Sequence, residues 1–219
     1  MAKYFNFLEG SSMVRSTETR RALTALAGTQ SGYFTARQAL AVGYAYPEQH
    51  YHMLQGNWER VARGVFRLRD YPLAEREDLI VLSLLSHDRT SQPQAVFSHE
   101  TALALHDLSD ANPARIHLTV PSGFRRQLPD GVVIHRGVVP PDDWEERDGY
   151  RVTTPLRTLT DIAATPVSWP SLEPAVRDAL RTGMVRRRQL LEAKLQEEAR
   201  VRLVAAVDAL DAAEQKAGV

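Results

Sequence analysis

The chain contains no cysteine among its 219 residues, which removes disulfides and thiolate metal sites together. Lysine is almost as scarce. Lys3, Lys194 and Lys216 are the whole complement, so nearly every fixed positive charge is an arginine. No apolar run approaches the roughly 20 residues that a transmembrane helix needs. The opening MAKYFNFLEG also lacks the apolar stretch and small-residue cleavage site of a secretory signal. The expectation is a cytoplasmic protein with no membrane attachment. Missing too are a phosphate-cradling glycine loop, a nucleophile elbow and a kinase-type signature. Nuclease chemistry needs clustered carboxylates to hold magnesium, often with a nearby lysine. Glu192-Ala193-Lys194 has those letters but falls on an amphipathic helical stretch, and Asp142-Asp143 follows two prolines as a turn. Neither an enzymatic activity nor a cofactor is expected.

What is present is enough apolar content, 43%, to fill one large core or two small ones. The formal net charge is zero, but the total hides an asymmetry. Residues 1–72 carry nine basic side chains against five acidic ones, a net +4, so the remainder carries −4. A modestly basic N-terminal module on a slightly acidic body points weakly toward phosphate contacts.

The first residues, 1–15, read as a flexible extension, with Gly10-Ser11-Ser12 as a joint and Met13 as a second candidate start. A helical pattern then runs from Ser16 to Ala27 and stops at Gly28. In GYFTARQAL, Thr35 and Gln38 have the spacing of a capping box, with Phe34 in the staple position ahead of it. This predicts a second helix to about Val42, closed by Gly43. A third begins at Pro47, whose fixed φ suits a helix start, and continues to Gly56. Two strand-like runs follow, Trp58–Val61 and Val65–Leu68, joined by Ala62-Arg63-Gly64 as a tight hairpin. Three helices and an arginine-bearing hairpin are the order of a winged helix-turn-helix; a generic small α+β subdomain has the same order. Tyr71-Pro72 breaks the chain and marks the expected domain boundary, with residues 16–72 before it and 73–219 after.

Beyond the break, Leu73–Leu85 reads as an apolar helix, and Ser98 as the cap of a helix from His99 to about His106. Residues 115–120 and 132–136 alternate as strands, and Gly149–Val152 makes a further short one. A helix starts at Thr154-Pro155, and the remainder is helical. In the tail Leu203, Val204, Val207 and Leu210 share one stripe. The fold class expected is α+β, a winged helix-turn-helix followed by a mixed domain with a small sheet and C-terminal helices.

Two sets of residues carry candidate chemistry. In a helix-turn-helix the second helix of the pair enters the major groove, and here it offers Glu48, Gln49, His50, His52 and Gln55. Gln pairs bidentately with adenine, which makes Gln49 the first candidate for base readout. Arg63 at the hairpin tip, flanked by Arg60 and Arg67, would meet phosphate or minor groove. Thr35, Arg37 and Gln38 lie where the second helix would cross the backbone. In the second domain Arg125, Arg126, Arg136, Arg151, Arg157 and Arg181 form one basic face or several, and such runs are also ordinary solvated surface. The histidines His99, His106, His117 and His135 raise the question of metal. His99 and His106 lie seven apart on one helix face, and His117 and His135 on neighbouring strands. No pair has the i, i+4 spacing of a zinc-protease helix, so the reading is core or surface histidines and no metal.

Taken together, GYFTARQALAVG, RVARGVFRL, FSHETALALHDL, RIHLTVPSG, VVIHRG and GYRVTTPLRTLTDIA resemble, in that order, the AbiEi-type antitoxins of bacterial type IV toxin–antitoxin systems. The resemblance spans about residues 17–190. It implies a partner toxin of the nucleotidyltransferase class encoded beside the chain, neutralised through the second domain. It also implies repression of the shared promoter by the winged domain, through operator DNA read as an inverted repeat by paired copies. Some longer relatives carry a nuclease-like domain after the matched region, whereas this chain continues into a single helical tail. The alternatives from the residues themselves are a stand-alone winged-helix regulator and an interaction protein that holds the toxin without touching DNA.

Overall fold

The computed structural model describes residues 5–108 and 113–217. Its contacts divide the chain into two compact units. One runs to Pro93 and takes in Asp148–Tyr150; the other comprises Gln94–Arg147 and the chain from Arg151 on. The expected break at Tyr71-Pro72 thus lies inside the first unit.

The first unit opens with α1 (Phe5–Gly28), which takes in residues that the sequence sets apart as an extension. It is followed by β1 (Tyr33–Thr35), α2 (Ala36–Ala41), α3 (Tyr46–Leu54), β2 (Trp58–Ala62), β3 (Val65–Leu68) and α4 (Glu77–Ser86). The strands form one antiparallel sheet in the order β1-β3-β2. This is a winged helix. The capping box at the start of α2 is complete: Gln38 N donates to Thr35 Oγ1 (3.1 Å) and Thr35 N donates to Gln38 Oε1 (2.8 Å). The hairpin turns at Arg63-Gly64, where Gly64 takes φ +74°, a region that suits glycine because it has no Cβ.

The core of this unit is aromatic. Phe34, Trp58 and Phe66 meet with Leu23, Ala27 and Ala39, and Trp58 stands edge-on to Phe34 with centroids 4.9 Å apart. Phe34, expected as a helix staple, shares this core with Ala39, four residues past the Thr35 cap, and also pairs in β1 opposite Phe66. Three residues between Gly32 and α2 are too few to carry a readable alternation, so only pairing with β3 defines this strand.

The second unit contains β4 (Val96–Phe97), α5 (His99–Leu105), β5 (Ile116–Val120), β6 (Val132–Arg136), β7 (Trp144–Arg147), β8 (Tyr150–Thr153, whose first residue falls in the first unit), α6 (Pro155–Ala164), α7 (Leu172–Arg181), α8 (Arg187–Leu191) and α9 (Glu197–Ala217). The sheet order is β6-β5-β4-β8-β7, with β5 parallel to β6 and β4 parallel to β8. Neighbouring parallel strands usually require a helical crossover. Here the connection from β5 to β6 has none. It buries Phe124, and Arg136 donates to the carbonyls of Ser122 (3.2 Å) and Phe124 (3.0 Å). α5 to α9 enclose an aliphatic core that includes Leu103, Leu159, Ile162 and Val176. From the tail stripe Leu203, Val207 and Leu210 join it, with Val204 only partly buried. No helix among the described residues is long and apolar enough to cross a membrane.

Candidate nucleic-acid interface and a buried histidine cluster

The sequence-derived DNA contacts separate into two groups once the winged helix is folded. Some are consumed by the fold. Gln49 is only 3% exposed. Its amide donates to the carbonyls of Ala36 (3.1 Å) and Tyr44 (2.9 Å), so it fastens α3 to the start of α2 and to the connecting turn. It cannot also reach a base edge, and the expectation that Gln49 reads adenine is corrected on that ground. Gln38 is spent likewise: beyond its cap it donates to Gln30 Oε1 (2.8 Å). Arg67 is buried, bonding Glu59 Oε2 (2.6 Å) and the Tyr71 carbonyl (3.0 Å). Glu48 accepts the free backbone N–H of Ala45 (2.7 Å) and serves as a helix cap. Thr35 is half-buried in its own cap, and His52 is half-buried with its ring stacked on Trp58 (4.9 Å, 15°).

The others face outward. His50 and Gln55 are exposed on α3, and Arg60 and Arg63 are exposed on the β2–β3 hairpin. Arg60 makes one bond to the Ala62 carbonyl (3.4 Å). Arg37 is exposed on α2 and donates to the Arg89 carbonyl (2.6 Å). The wing therefore carries two exposed arginines, one in β2 and one at the turn, and the outer face of α3 is open to solvent.

The six arginines of the second unit do not form one face. Arg157 bridges Asp143 and Asp161, each at 2.8 Å. Arg151 pairs with Glu146 (3.5 Å) and lies over the Trp144 ring at 4.1 Å. Arg136 pins the β5–β6 connection. Arg125 and Arg126 are exposed on that connection. Arg181 is exposed beside Asp178 (3.5 Å).

The most unusual chemistry of the second unit is a polar cluster under α5. The His99 ring, 5% exposed, stacks on the His135 ring with centroids 3.5 Å apart. His99 itself has φ +53°, a left-handed conformation uncommon outside glycine and held only where surroundings over-determine it. His99 Nδ1 meets Ser98 Oγ (2.9 Å), which meets Thr119 Oγ1 (2.8 Å). His117 Nδ1 lies 2.8 Å from Glu100 Oε2 and 3.2 Å from His135 Nε2. Ser168 donates to the other oxygen of Glu100.

Proton positions in this cluster follow from elimination. An ionised carboxylate only accepts, so His117 Nδ1 carries the hydrogen. His135 Nε2, facing that N–H, is then the lone pair, and a neutral His135 holds its proton on Nδ1. Burial by itself raises the Glu100 pKa, but hydrogen bonds from His117 and Ser168 outweigh it and hold the carboxyl at about 2. Burial first, then the neighbouring imidazoles, lowers His99 to about 3, and burial also lowers His135.

His106, expected on the same helix face as His99, lies elsewhere because α5 ends at Leu105. Its Nδ1 accepts from Arg147 (2.9 Å), since guanidinium can only donate, and its Nε2–H donates to the Thr153 carbonyl (2.7 Å). Among the described residues no group of three or more histidines and carboxylates is arranged to hold a metal ion. Sequence spacing treats these histidines as separate; only the pairing of β5 with β6, and of both with α5, brings three of them together. The one available signal is Ser98-His99-Glu100-Thr101, four consecutive polar residues directly after a buried strand.

This buried cluster and the helices beneath it lie within a segment, residues 94–211, that matches the AbiEi antitoxin C-terminal domain. The chain belongs to the AbiEi antitoxin family. Across both units it is similar to the crystal structure of the RV2827C protein from Mycobacterium tuberculosis. The TM-score is 0.53 over 88% of this chain and 76% of that one, at 19% identity, a likeness of fold. No curated protein matches the chain. The match places the histidine cluster inside the antitoxin domain and the winged helix ahead of it.

Proposed function

We propose that this AbiEi antitoxin is cytoplasmic, represses its own promoter through the winged helix, and neutralises a nucleotidyltransferase toxin encoded beside it in a type IV system. The observation that carries the DNA half is the wing: Arg60 and Arg63 stand exposed on the hairpin whose first strand, β2, packs against α3. Guanidinium groups so placed attract phosphate and release counterions, which gives affinity that falls steeply with salt. Arg37 on α2 adds a third phosphate contact, and His50 and Gln55 are the polar side chains free to meet base edges. One winged module gives limited affinity, so two copies would bind an inverted repeat, paired in solution or on the DNA.

The toxin half rests on family membership. Neutralisation would proceed by binding rather than catalysis, with Arg125 and Arg126 as the exposed cations that an acidic toxin surface would meet. Arg181, weakly paired, is a lesser contributor, and Arg136, Arg151 and Arg157 act within the fold.

A mobility shift on the chain's own upstream promoter, titrated with salt beside a scrambled duplex, tests the DNA half. Promoter-selective binding that weakens steeply with salt is expected. Equal, salt-insensitive behaviour on both duplexes, or no binding at low salt, would sink it and leave an interaction protein that holds the toxin without DNA. Protection of toxin-challenged cells by a variant lacking the wing arginines separates the two halves.

A further inference from the structure

Successive residues of an α-helix turn by about 100°, and Gln49 marks the buried side of α3. The opposite direction falls between Pro47 and Tyr51, with Leu54 next to them. His50 sits on one flank; Glu48 and Gln55 sit on the other. Tyr51 is 57% exposed and Leu54 71%, and Tyr46, at the first turn, is 65%. The centre of the outward face is therefore apolar, and α3 contains no lysine or arginine.

We propose that this stripe reads thymine methyl groups in the major groove, with Tyr51 and Leu54 as specificity-determining residues. This rests on the DNA-binding reading above. The 5-methyl group of thymine is the apolar feature that the major groove presents, whereas guanine is read chiefly by arginine or lysine. α3 has neither cation, so guanine readout of that kind is closed to it. The wing supplies what α3 lacks. Arg60 and Arg63 provide sequence-independent attraction to phosphate, and an apolar helix face then discriminates by contact. Cations beside an apolar stripe complement a polyanion bearing scattered methyl groups. Glu48 strengthens the division: its carboxylate is fixed at the Ala45 N–H and discourages phosphate from approaching the start of α3.

The test begins by selecting bound duplexes from a random pool and locating thymines in the half-site. Those thymines are then replaced by deoxyuridine, which deletes the methyl and leaves pairing and the minor groove unchanged. Binding is expected to weaken by about four-fold per contacted methyl, from the transfer of one buried carbon. Leu54→Ala and Tyr51→Ala should bring the thymine-to-deoxyuridine ratio toward one. Both side chains are exposed, so the thermal midpoint should hold, as should low-salt binding to scrambled duplex. Equal affinity for the two duplexes overturns the methyl readout while leaving DNA binding intact. Failure to bind any duplex overturns the DNA reading itself. If Leu54→Ala then abolishes binding to the neighbouring gene product, the stripe belongs to a protein partner.

Discussion

The two units use polar side chains in opposite ways. In the winged helix, buried polar groups are few and act locally: Gln38 completes a cap, Gln49 joins two carbonyls, and Arg67 holds one glutamate. Its core is an aromatic cluster that needs no protons in particular places. In the antitoxin domain, buried and half-buried polar groups join in connected sets: Glu100, His117, His135, His99 and Ser98 under α5, and Arg157 between two aspartates. A fold of the first kind tolerates loss of an exposed charge. One of the second kind depends on every member keeping its partner and its protonation state, because an unpaired polar group in a low-dielectric interior is costly.

The largest break in that comparison should come from Arg157→Leu. Asp161 is half-buried with its Oδ2 closed off from solvent, and desolvation outweighs Arg157 in setting its raised pKa. Removing the guanidinium leaves a half-buried carboxyl and its neighbour Asp143 without a counter-charge. Truncating one partner of a fully buried pair costs about 3–5 kcal/mol, which sets the upper bound for this half-buried one. Urea denaturation followed by hydrogen exchange should localise the loss to α6 and β7–β8, with residues 33–68 unchanged. A uniform loss across both units would erase the contrast.

Gln49→Leu should be the worst single change in the winged helix, and a smaller one. Two carbonyls lose their donor, at about 1–3 kcal/mol. Binding to promoter and scrambled DNA should fall in parallel with stability. A selective change in base preference, with stability intact, would restore Gln49 to the DNA surface.

Acid should separate the units next. His99, His106 and His135 are all lowered from 6.5, mainly by burial. The unfolded chain takes up protons below pH 6.5 where the folded chain does not, so their contribution is complete above 6.5 and declines as pH falls, for His99 down to about 3. Glu100 acts in the same direction, with stability present above 4.5 and lost as pH drops toward 2. In the winged helix burial lowers His52 in the same direction. Denaturant midpoints measured above and below pH 6.5 should therefore fall further for the antitoxin domain. His99→Asn, which tolerates the left-handed backbone, should reduce the slope by up to about 1.4 kcal/mol per pH unit; an unchanged slope would remove His99 from the account.

Arg63→Ala should be nearly silent in stability, within about 0.5 kcal/mol. Its expected effect is confined to binding, where the salt dependence should flatten by about one unit. A destabilised Arg63→Ala would mean that the wing tip is part of the fold after all.

Much of the architecture was legible because it is written in local terms. The Thr35–Gln38 box, Gly43, Pro47, Gly56 and Gly64 punctuate the winged helix at near-neighbour spacing, and Thr154 caps α6 through the Arg157 N–H (3.4 Å). Strands β1, β4 and β7 were not legible. Each is four residues or fewer and owes its form to a partner strand rather than to its own pattern.

The chain alone thus determined the order of the helices and longer strands, the cationic hairpin, the absence of thiolate chemistry and, through ordered motifs, the family. Tertiary structure decided which side chains are free to act. Gln49 and Arg67 look like surface residues by type, yet satisfy buried groups. His99, His117 and His135 look scattered, yet meet because β5 and β6 pair in parallel beneath α5. Helical and strand periodicity follow from one chain segment and can be read along it. Burial and convergence depend on what folds against that segment, and hydrogen-bond satisfaction then fixes which polar atoms remain available for a ligand.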